Sequence, residues 1–425
     1  MERKCNVFAL LSLLLVFSIS FYQQCSMAVM LAWTIVGVFG IKLSRDKNDK
    51  ILYAMEVCML LFFVVNALSI VFSYDKVEGL NNLGSLLPFA IVPLMAFSYS
   101  NNLKNNYIQL LRLFVVGALS ASIICILAAL LRSFHIVEGS LVFNPYVGFR
   151  NQFVYTHLSI FLYTNTFAMC IVFAAAVLVW ALLFRNPHRK WLLYLGLVLC
   201  ILMIFLLSSR TNVYALFVVF YLSVLVFYLR FNKIFHSIAL LIAVTGLFWV
   251  FQTCNYRVLN LSKQVTSYII EEDIVMDNGY VIHHPRTIEN VNIRFQMWKT
   301  GVKLLRYYWL TGCGIGDYKG VLRSEYQFDG IYEAYQKGYD QHNQYIETFT
   351  TSGVVGGGLL LSIMFIALLS AIRNRNYLLF CCLIVVGLNM LLESMLNRFS
   401  ASLFLVVALL LSMQAKHSDL HIERQ

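Results

Sequence analysis

The chain has 425 residues, of which 60% are hydrophobic and only 12% are charged, and its mean hydropathy is +0.73. Soluble globular proteins carry roughly 25% charged residues, so this composition excludes a water-soluble fold and indicates a polytopic membrane protein. The net charge of +11 does not indicate a nucleic-acid-binding protein, because the basic residues lie mainly in short loops between apolar runs and not on one polar segment.

Twelve apolar runs approach the length of a membrane span, since a hydrocarbon core about 30 Å thick needs about 20 helical residues. They lie at 6–22, 26–41, 51–73, 83–99, 108–131, 156–184, 191–208, 211–230, 234–252, 343–372, 377–394 and 397–414. The first run is interpreted as a retained helix and not as a signal peptide, because it lacks a small-residue cleavage site. The chain is therefore predicted to be all-α, with about twelve transmembrane helices.

The basic residues of the loops predict the orientation. With a cytoplasmic N-terminus, the inside loops carry 16 Lys and Arg residues and the short outside loops carry five. Cytoplasmic loops typically have such an excess of basic residues. Both termini are therefore predicted to be cytoplasmic. The predicted division is helices 1–9 in residues 1–251, an external loop at 252–342, helices 10–12 in 343–414 and a cytoplasmic tail at 415–425.

The external loop is predicted to be folded, because it is rich in aromatic residues and has ten basic and ten acidic residues. From Asn290 to Tyr308, apolar residues recur at helical spacing, which predicts an amphipathic helix on the outer membrane surface or capping the bundle. Residues 312–318 (G-C-G-I-G-D-Y) do not follow a strand, so a dinucleotide-binding motif is not predicted. They predict a tight turn, which either places backbone N–H groups near an anion or lets the loop fold back.

Cysteine and histidine spacing does not predict a metal site. Most of the ten cysteines lie inside apolar runs without C-x-x-C spacing, so they are interpreted as small hydrophobic residues. Pairing of Cys254 with Cys313 in the external loop is left open. The adjacent His283 and His284 have no partner at ligand spacing, and the chain has no D-x-D pair. No metal or cofactor is predicted.

Charged residues near the outer membrane surface are the candidate functional residues, because burying them costs several kcal/mol unless they are paired or hydrated. Arg210 lies in an outer turn between two apolar runs, where the positive-inside rule disfavours a basic residue. It either contacts lipid headgroups or binds an anion. Arg294 is either a solvated surface residue or a second guanidinium for bidentate binding of a diphosphate.

His342 lies where the external loop enters the tenth run, beside Asp340 and Glu347, whose carboxylates are candidates to orient the imidazole. A neutral imidazole in this place would act as a base toward a hydroxyl group. The alternative is a structural or merely exposed histidine. Glu393 and Arg398 lie in the turn between the last two runs, where they either form a helix-end ion pair or take a direct catalytic or supporting part in the reaction. Further supporting candidates are Asn343 and His157.

The twelve runs, the long external loop and three motifs together resemble the O-antigen ligase and polymerase superfamily of bacterial inner-membrane glycosyltransferases. The motifs are S-S-R-T at 208–211, I-R-F-Q-M-W at 293–298 and Q-H-N-Q-Y-I-E at 341–347. The resemblance implies a fold like that of other membrane glycosyltransferases with lipid-linked donors, with the external loop in the periplasm. The implied partners are a glycan carried on undecaprenyl diphosphate, an acceptor glycan and membrane lipids. The acceptor is lipid A–core in a ligase and another lipid-linked repeat in a polymerase.

The resemblance also implies roles for individual residues. Arg210 and Arg294 match the arginines that bind the diphosphate of the donor, and His342 matches the histidine that acts at the acceptor hydroxyl. Glu393 resembles an acidic residue before the last span, and residues 312–318 resemble the glycine-rich turn of the family.

Two positions depart from the pattern of the family. Tyr308 and Trp309 stand where the family often has Asn-Pro, and Gln344 replaces an acidic residue that often follows His-Asn. The second departure leaves open which group orients the histidine.

The function predicted from these features is an inverting, metal-independent glycosyltransferase, either an O-antigen ligase or a repeat-unit polymerase. Two other classes are less well supported. A twelve-helix secondary transporter usually has two related halves, whereas the 252–342 loop breaks any six-plus-six symmetry. A scaffold subunit of envelope assembly would need neither the two arginines nor the histidine.

Overall fold

A computed structural model describes residues 2–38, 50–98, 100–137, 140–147, 150–185, 187–254 and 289–415. Almost all of the described residues are helical. The helices in chain order are α1 (Glu2–Ser18), α2 (Gln23–Val38), α3 (Lys50–Phe72), α4 (Lys76–Leu86), α5 (Pro88–Ser98), α6 (Ser100–Arg132), α7 (Thr164–Phe184), α8 (Lys190–Leu207), α9 (Arg210–Phe231), α10 (Ile234–Cys254), α11 (Glu289–Tyr308), α12 (Tyr318–Phe328), α13 (Tyr332–Lys337), α14 (Gln344–Arg373), α15 (Tyr377–Leu392) and α16 (Phe399–Gln414).

Each predicted apolar run contains one of these helices. By length and composition, eight described helices can cross a membrane, and one of them, Lys76–Ala96, joins α4 to most of α5. Four other apolar helices are shorter, namely Val7–Ser18, Gln23–Val38, Tyr377–Leu392 and Phe399–Gln414. The protein is therefore a multi-pass helical membrane protein, and the count of twelve spans stays a prediction.

The region before α7 departs from the all-α prediction. Two small antiparallel sheets form there, β1 (Phe134–Val137) with β2 (Ser140–Phe143) and β3 (Tyr146–Val147) with β4 (Arg150–Asn151). A 3₁₀ turn over Tyr155–His157 follows them. The predicted sixth run, 156–184, was therefore assigned too early a start, because its first apolar residues belong to this turn and to the entry into α7.

The centre of the bundle is built from helices that are apolar on every side. Nearly all residues of α16 and most of α7 are buried, as expected of helices enclosed by other helices. At the periphery, α10 leaves side chains such as Phe235 and Trp249 exposed, which suits contact with lipid chains. Burial rather than hydrophobicity thus separates the central helices from the peripheral ones.

The described part of the external loop forms a helical cap on one end of the bundle. Helices α11, α12 and α13 enclose a small core of their own, and α11 packs against α14. The buried residues of this core are Met297, Leu304, Tyr318, Leu322, Tyr326, Ile331 and Ala334. The amphipathic helix predicted over 290–308 corresponds closely to α11, and its packing favours the capping alternative.

The glycine-rich segment 312–316 joins this cap to a break in α14. Helix α14 is interrupted at Gly353, whose φ is 63° and ψ is −163°. The N–H groups of Cys313 and Gly314 donate hydrogen bonds of 2.9 Å to the carbonyl groups of Thr350 and Thr351. The break therefore exposes carbonyl groups that the glycine-rich segment satisfies.

The same segment contacts the end of α3. The N–H groups of Ile315 and Gly316 donate to the hydroxyl groups of Ser69 and Ser73, both at 3.2 Å. The backbone N–H groups of this turn thus bond to the protein itself. Of the two alternatives predicted for the turn, the structure favours the fold-back of the loop.

Replacing Gly353 by alanine is expected to destabilise the protein by about 2 kcal/mol or more, because a Cβ strains a positive φ. That atom would also lie 2.2 Å from the carbonyl oxygen of Leu310. Thermal unfolding in detergent measures the effect. The matched control is Gly358→Ala in the same helix, where the added Cβ meets open space, so no loss of stability is expected. Equal melting temperatures for the two variants would contradict the role of the break.

Candidate active site

Three of the predicted site residues meet at the end of the bundle that carries the helical cap. Arg294 lies near the start of α11, His342 lies two residues before α14, and Glu393 directly follows the last residue of α15. The Glu393 side chain is only 9% exposed, whereas those of His342 and Arg294 are 23% and 41% exposed. A buried carboxylate thus lies behind two side chains that a ligand can reach.

Glu393 binds both of these side chains. Its Oε2 lies 3.0 Å from Nδ1 of His342, and its Oε1 lies 3.3 Å from Nη2 of Arg294. The amide of Asn165, just inside α7, donates to Oε1 at 2.8 Å. Three donors from three distant segments therefore converge on one carboxylate.

The surroundings of Glu393 fix its charge. Burial by itself raises the pKa of this carboxyl, but the hydrogen bond from His342 and the charges of Arg294 and Arg398 outweigh burial and hold the pKa below its ordinary value. An ionised carboxylate only accepts hydrogen bonds, so Nδ1 of His342 is the donor. The second ring nitrogen, Nε2, then keeps its lone pair and is the basic atom.

The backbone around His342 is also constrained. Its φ is 48°, in the left-handed region that non-glycine residues occupy mainly where their surroundings enforce it. Its carbonyl oxygen accepts a long hydrogen bond, 3.4 Å, from Nε1 of Trp298. The next residue, Asn343, caps α14 by accepting the N–H of Ile346 at 3.1 Å. Asn343 thus has a structural contact, and its predicted supporting role at the site stays a prediction.

Arg210 is linked to the same network through its neighbour. Ser209 donates to Oδ1 of Asn165 at 2.8 Å, and Asn165 in turn donates to Glu393. Arg210 is the first residue of α9 and is partly buried. The N-terminus of a helix carries a partial positive charge, and Arg210 adds a full positive charge there; its predicted binding of an anion stays a prediction.

Arg398 is placed differently from the predicted ion pair. Its guanidinium lies over the ring of Tyr163 at 3.8 Å from the centroid. Its positive charge also helps to lower the pKa of Glu393. In the described part of the chain, the ion pair of Glu393 is with Arg294. The helix-end pair of Glu393 with Arg398 is therefore wrong.

The carboxylates beside His342 in the sequence do not orient its ring. Glu347 is buried in the first turn of α14 and faces Tyr318, Ser394 and Asn397. The expectation that Asp340 or Glu347 would orient the imidazole is corrected by the contact with Glu393. The reason is geometric, since the chain turns into α14 at residue 343 and directs the following side chains toward another face.

The remaining candidates lie apart from this cluster. His157 belongs to the 3₁₀ turn, and its carbonyl oxygen accepts a hydrogen bond of 2.7 Å from Arg132. A role for its imidazole stays a prediction. Cys254 and Cys313 are both free thiols. The pair His283 and His284 lies outside the described residues. Among the residues that are described, no three His, Cys, Asp or Glu side chains are grouped as metal ligands would be.

Sequence reasoning missed the asparagines that support the site. Asn212 and Asn389 exchange hydrogen bonds of 2.9 and 3.1 Å between α9 and α15, and Asn212 also donates to Ser209 at 2.9 Å. Together with Asn165 they form a buried amide network beneath Glu393. The available signal was an asparagine at the outer end of each of three apolar runs.

Comparison with known proteins identifies a family to which part of the chain is similar. Residues 195–361 match the family model described as O-antigen ligase, a range that includes Arg210, Arg294 and His342. The chain matches no curated protein. The family match confirms the resemblance to the O-antigen ligase and polymerase superfamily that the three motifs predicted.

Replacing Glu393 by glutamine should make stability less dependent on pH. Because the folded-state pKa of Glu393 lies below its ordinary value of 4.5, its ionised form stabilises the fold fully above that value, and this contribution is lost as pH falls through the lowered pKa. At neutral pH, the free energy of unfolding of the wild type should exceed that of Glu393→Gln by about 1.5–3 kcal/mol. The difference in melting temperature should shrink as the buffer pH falls below 4.5 toward the lowered pKa of Glu393. A difference that stays constant over this range would contradict the assignment.

Proposed function

From the family match and the geometry of the site, we infer that this protein is a membrane glycosyltransferase that moves a glycan from undecaprenyl diphosphate to an acceptor sugar. We propose lipid A–core as the acceptor, which makes the protein an O-antigen ligase acting on the periplasmic face of the inner membrane. One observation carries the proposal. The buried carboxylate of Glu393 holds together the arginine proposed for the donor and the histidine proposed for the acceptor.

In this proposal, Arg210 and Arg294 bind the diphosphate of the donor. A guanidinium offers paired N–H donors that match two phosphate oxygens, which an ammonium group does not. Arg294 is exposed enough to reach a ligand while Glu393 fixes its direction. Because two guanidinium groups supply the positive charge, transfer is proposed to be independent of metal ions. A purified protein that lost activity in EDTA and regained it with magnesium would contradict this part.

His342 is proposed as the base that activates the acceptor. Its Nε2 takes the proton of the acceptor hydroxyl while that oxygen bonds to the anomeric carbon of the donor sugar. The bond from this carbon to the diphosphate oxygen breaks, and its electron pair leaves with the diphosphate held by the arginines. A single displacement of this kind inverts the anomeric configuration. Glu393 stabilises the imidazolium that forms and keeps the ring in position.

Deleting the gene in its own host and separating the surface polysaccharide on a gel tests the choice of acceptor. If the gene encodes a ligase, its deletion should leave all of the lipid A–core uncapped. Lipid-linked polymer should accumulate, because polymerisation continues without transfer. Core that carries a single repeat would instead identify the polymerase, since one repeat can still be ligated. An unchanged polysaccharide profile would contradict both activities.

Replacing His342 by alanine should lower the rate of transfer by about 10²–10⁴-fold, the usual contribution of a general base. Binding of the lipid-linked donor should be retained, because the arginines hold the diphosphate. Initial rates per folded protein and donor affinity, measured on the same preparations, separate catalysis from stability.

Two variants serve as controls for this measurement. Asn376→Ala removes a helix cap at the other end of the bundle, where Asn376 accepts the N–H of Leu379, so it should cost about 1 kcal/mol of stability without lowering turnover of the folded fraction. Arg210→Lys should weaken binding of the lipid-linked donor, which His342→Ala should leave intact. Near-normal turnover in His342→Ala would remove the base from the mechanism.

A further inference from the structure

A second concave site lies on the same end of the protein and has no part in the proposed reaction. It is a groove of about 860 Å³ between the loop after α3, the end of α11 and the start of α12. This volume falls within the range typical of ligand-binding clefts. The residues that give the groove its chemistry are Tyr74, Tyr307, Asp75, Glu78, Asp317 and Glu325.

Two tyrosines present their rings to solvent at this groove. The side chain of Tyr74 is almost fully exposed, and Tyr307 is 72% exposed. Leu304, a residue of the small core of the cap, also lines the groove. Exposed aromatic rings that line a cleft provide flat surfaces on which a ligand with an apolar face can stack.

The carboxylates of the groove are held in place by the protein. Asp317 accepts the N–H groups of Tyr74 and Asp75 at 2.7 and 2.9 Å. Glu78 pairs with Lys319 at 2.7 Å. Each carboxylate still has lone pairs for further donors, so the groove presents fixed acceptors beside its aromatic rings.

This combination selects among classes of ligand. Lys319 and Lys303 pair with two of the four carboxylates, so the groove keeps a net negative charge, which disfavours the phosphate groups of a nucleic acid or an anionic lipid. An apolar segment would leave the carboxylates without further hydrogen-bond donors. A saccharide fits both features, because its hydroxyl groups donate to carboxylates and its C–H face stacks against the negative face of a tyrosine ring.

The position of the groove indicates which part of the substrate it would take. Arg294 and Tyr307 lie on the same helix, α11, thirteen residues apart, which corresponds to about 20 Å along its axis. An oligosaccharide spans such a distance and a single sugar does not. The groove is therefore remote from the diphosphate but reachable by the same glycan.

We propose that this groove binds sugar units of the glycan substrate that are distant from the reacting carbon. The inference rests on the proposed function for the identity of the glycan, but the binding itself does not require transfer to occur. Binding at this distance would favour long glycans over short ones.

Gly320 offers a way to close the groove without disturbing the fold. It lines the groove within α12, and a Cβ added there meets open space. Gly320→Trp should therefore fill the groove, while Tyr307→Ala removes one stacking surface. The matched control is Tyr332→Ala, which removes another exposed tyrosine, 66% exposed, from α13 outside the groove.

The probe is a set of oligosaccharides released by mild acid from the surface polysaccharide of the native host, titrated calorimetrically into the full-length protein in detergent. Gly320→Trp and Tyr307→Ala are expected to weaken binding about tenfold or more, and Tyr332→Ala is expected to bind as the wild type does. Wild-type affinity in both groove variants, an equal loss in Tyr332→Ala, or no binding by the wild type would each overturn the proposal.

Kinetics separate a failure of this proposal from a failure of the proposed function. If both hold, the groove variants should raise KM for long glycans about tenfold with little change in kcat, and should bind glycan-free undecaprenyl diphosphate normally. A protein that binds oligosaccharides in the groove but shows no transfer would refute only the proposed glycosyltransferase activity. A protein that transfers glycan with unchanged KM in both groove variants would refute only the groove.

Discussion

The candidate site depends on one buried negative charge. Glu393 is ionised although it is almost removed from solvent, and a carboxylate in such a place is stable only with several donors around it. Arg294, His342 and Asn165 supply those donors from α11, from the entry to α14 and from α7. The same charge that requires these partners also holds the guanidinium of Arg294 and determines which nitrogen of the imidazole is basic.

Backbone hydrogen bonds hold the helical cap against the bundle. The regular hydrogen bonding of α14 is interrupted at Gly353. The carbonyl groups left without helical partners accept hydrogen bonds from N–H groups of the segment at 312–316. That segment also binds the hydroxyl groups at the end of α3. The cap is therefore tied to two membrane helices by main-chain contacts, so Arg294 and His342 are presented from a fixed frame and not from a free loop.

Helix α11 connects two surfaces of opposite character. Its beginning bears Arg294 beside the corner proposed for a diphosphate, and its end borders the aromatic and acidic groove. A lipid-linked glycan has the same order of parts, with the diphosphate at its lipid end and the hydroxyl-rich sugar chain beyond. The order of the two surfaces along one helix matches the order of these parts along the proposed substrate, which supports the groove as a second contact for the same glycan.

The sequence by itself determined the membrane class, the positions of the apolar helices and the amphipathic helix, and it singled out the three residues that meet in the candidate site. These follow from local properties, since hydrophobic length is set by the bilayer and motif chemistry by residue type. Only the tertiary structure decided what orients His342. Its partner Glu393 lies 51 residues away, and Asn165 lies 228 residues from Glu393. Proximity in sequence pointed to Asp340 and Glu347 instead, because contacts between helix ends are set by how whole helices pack and not by the spacing along one chain segment.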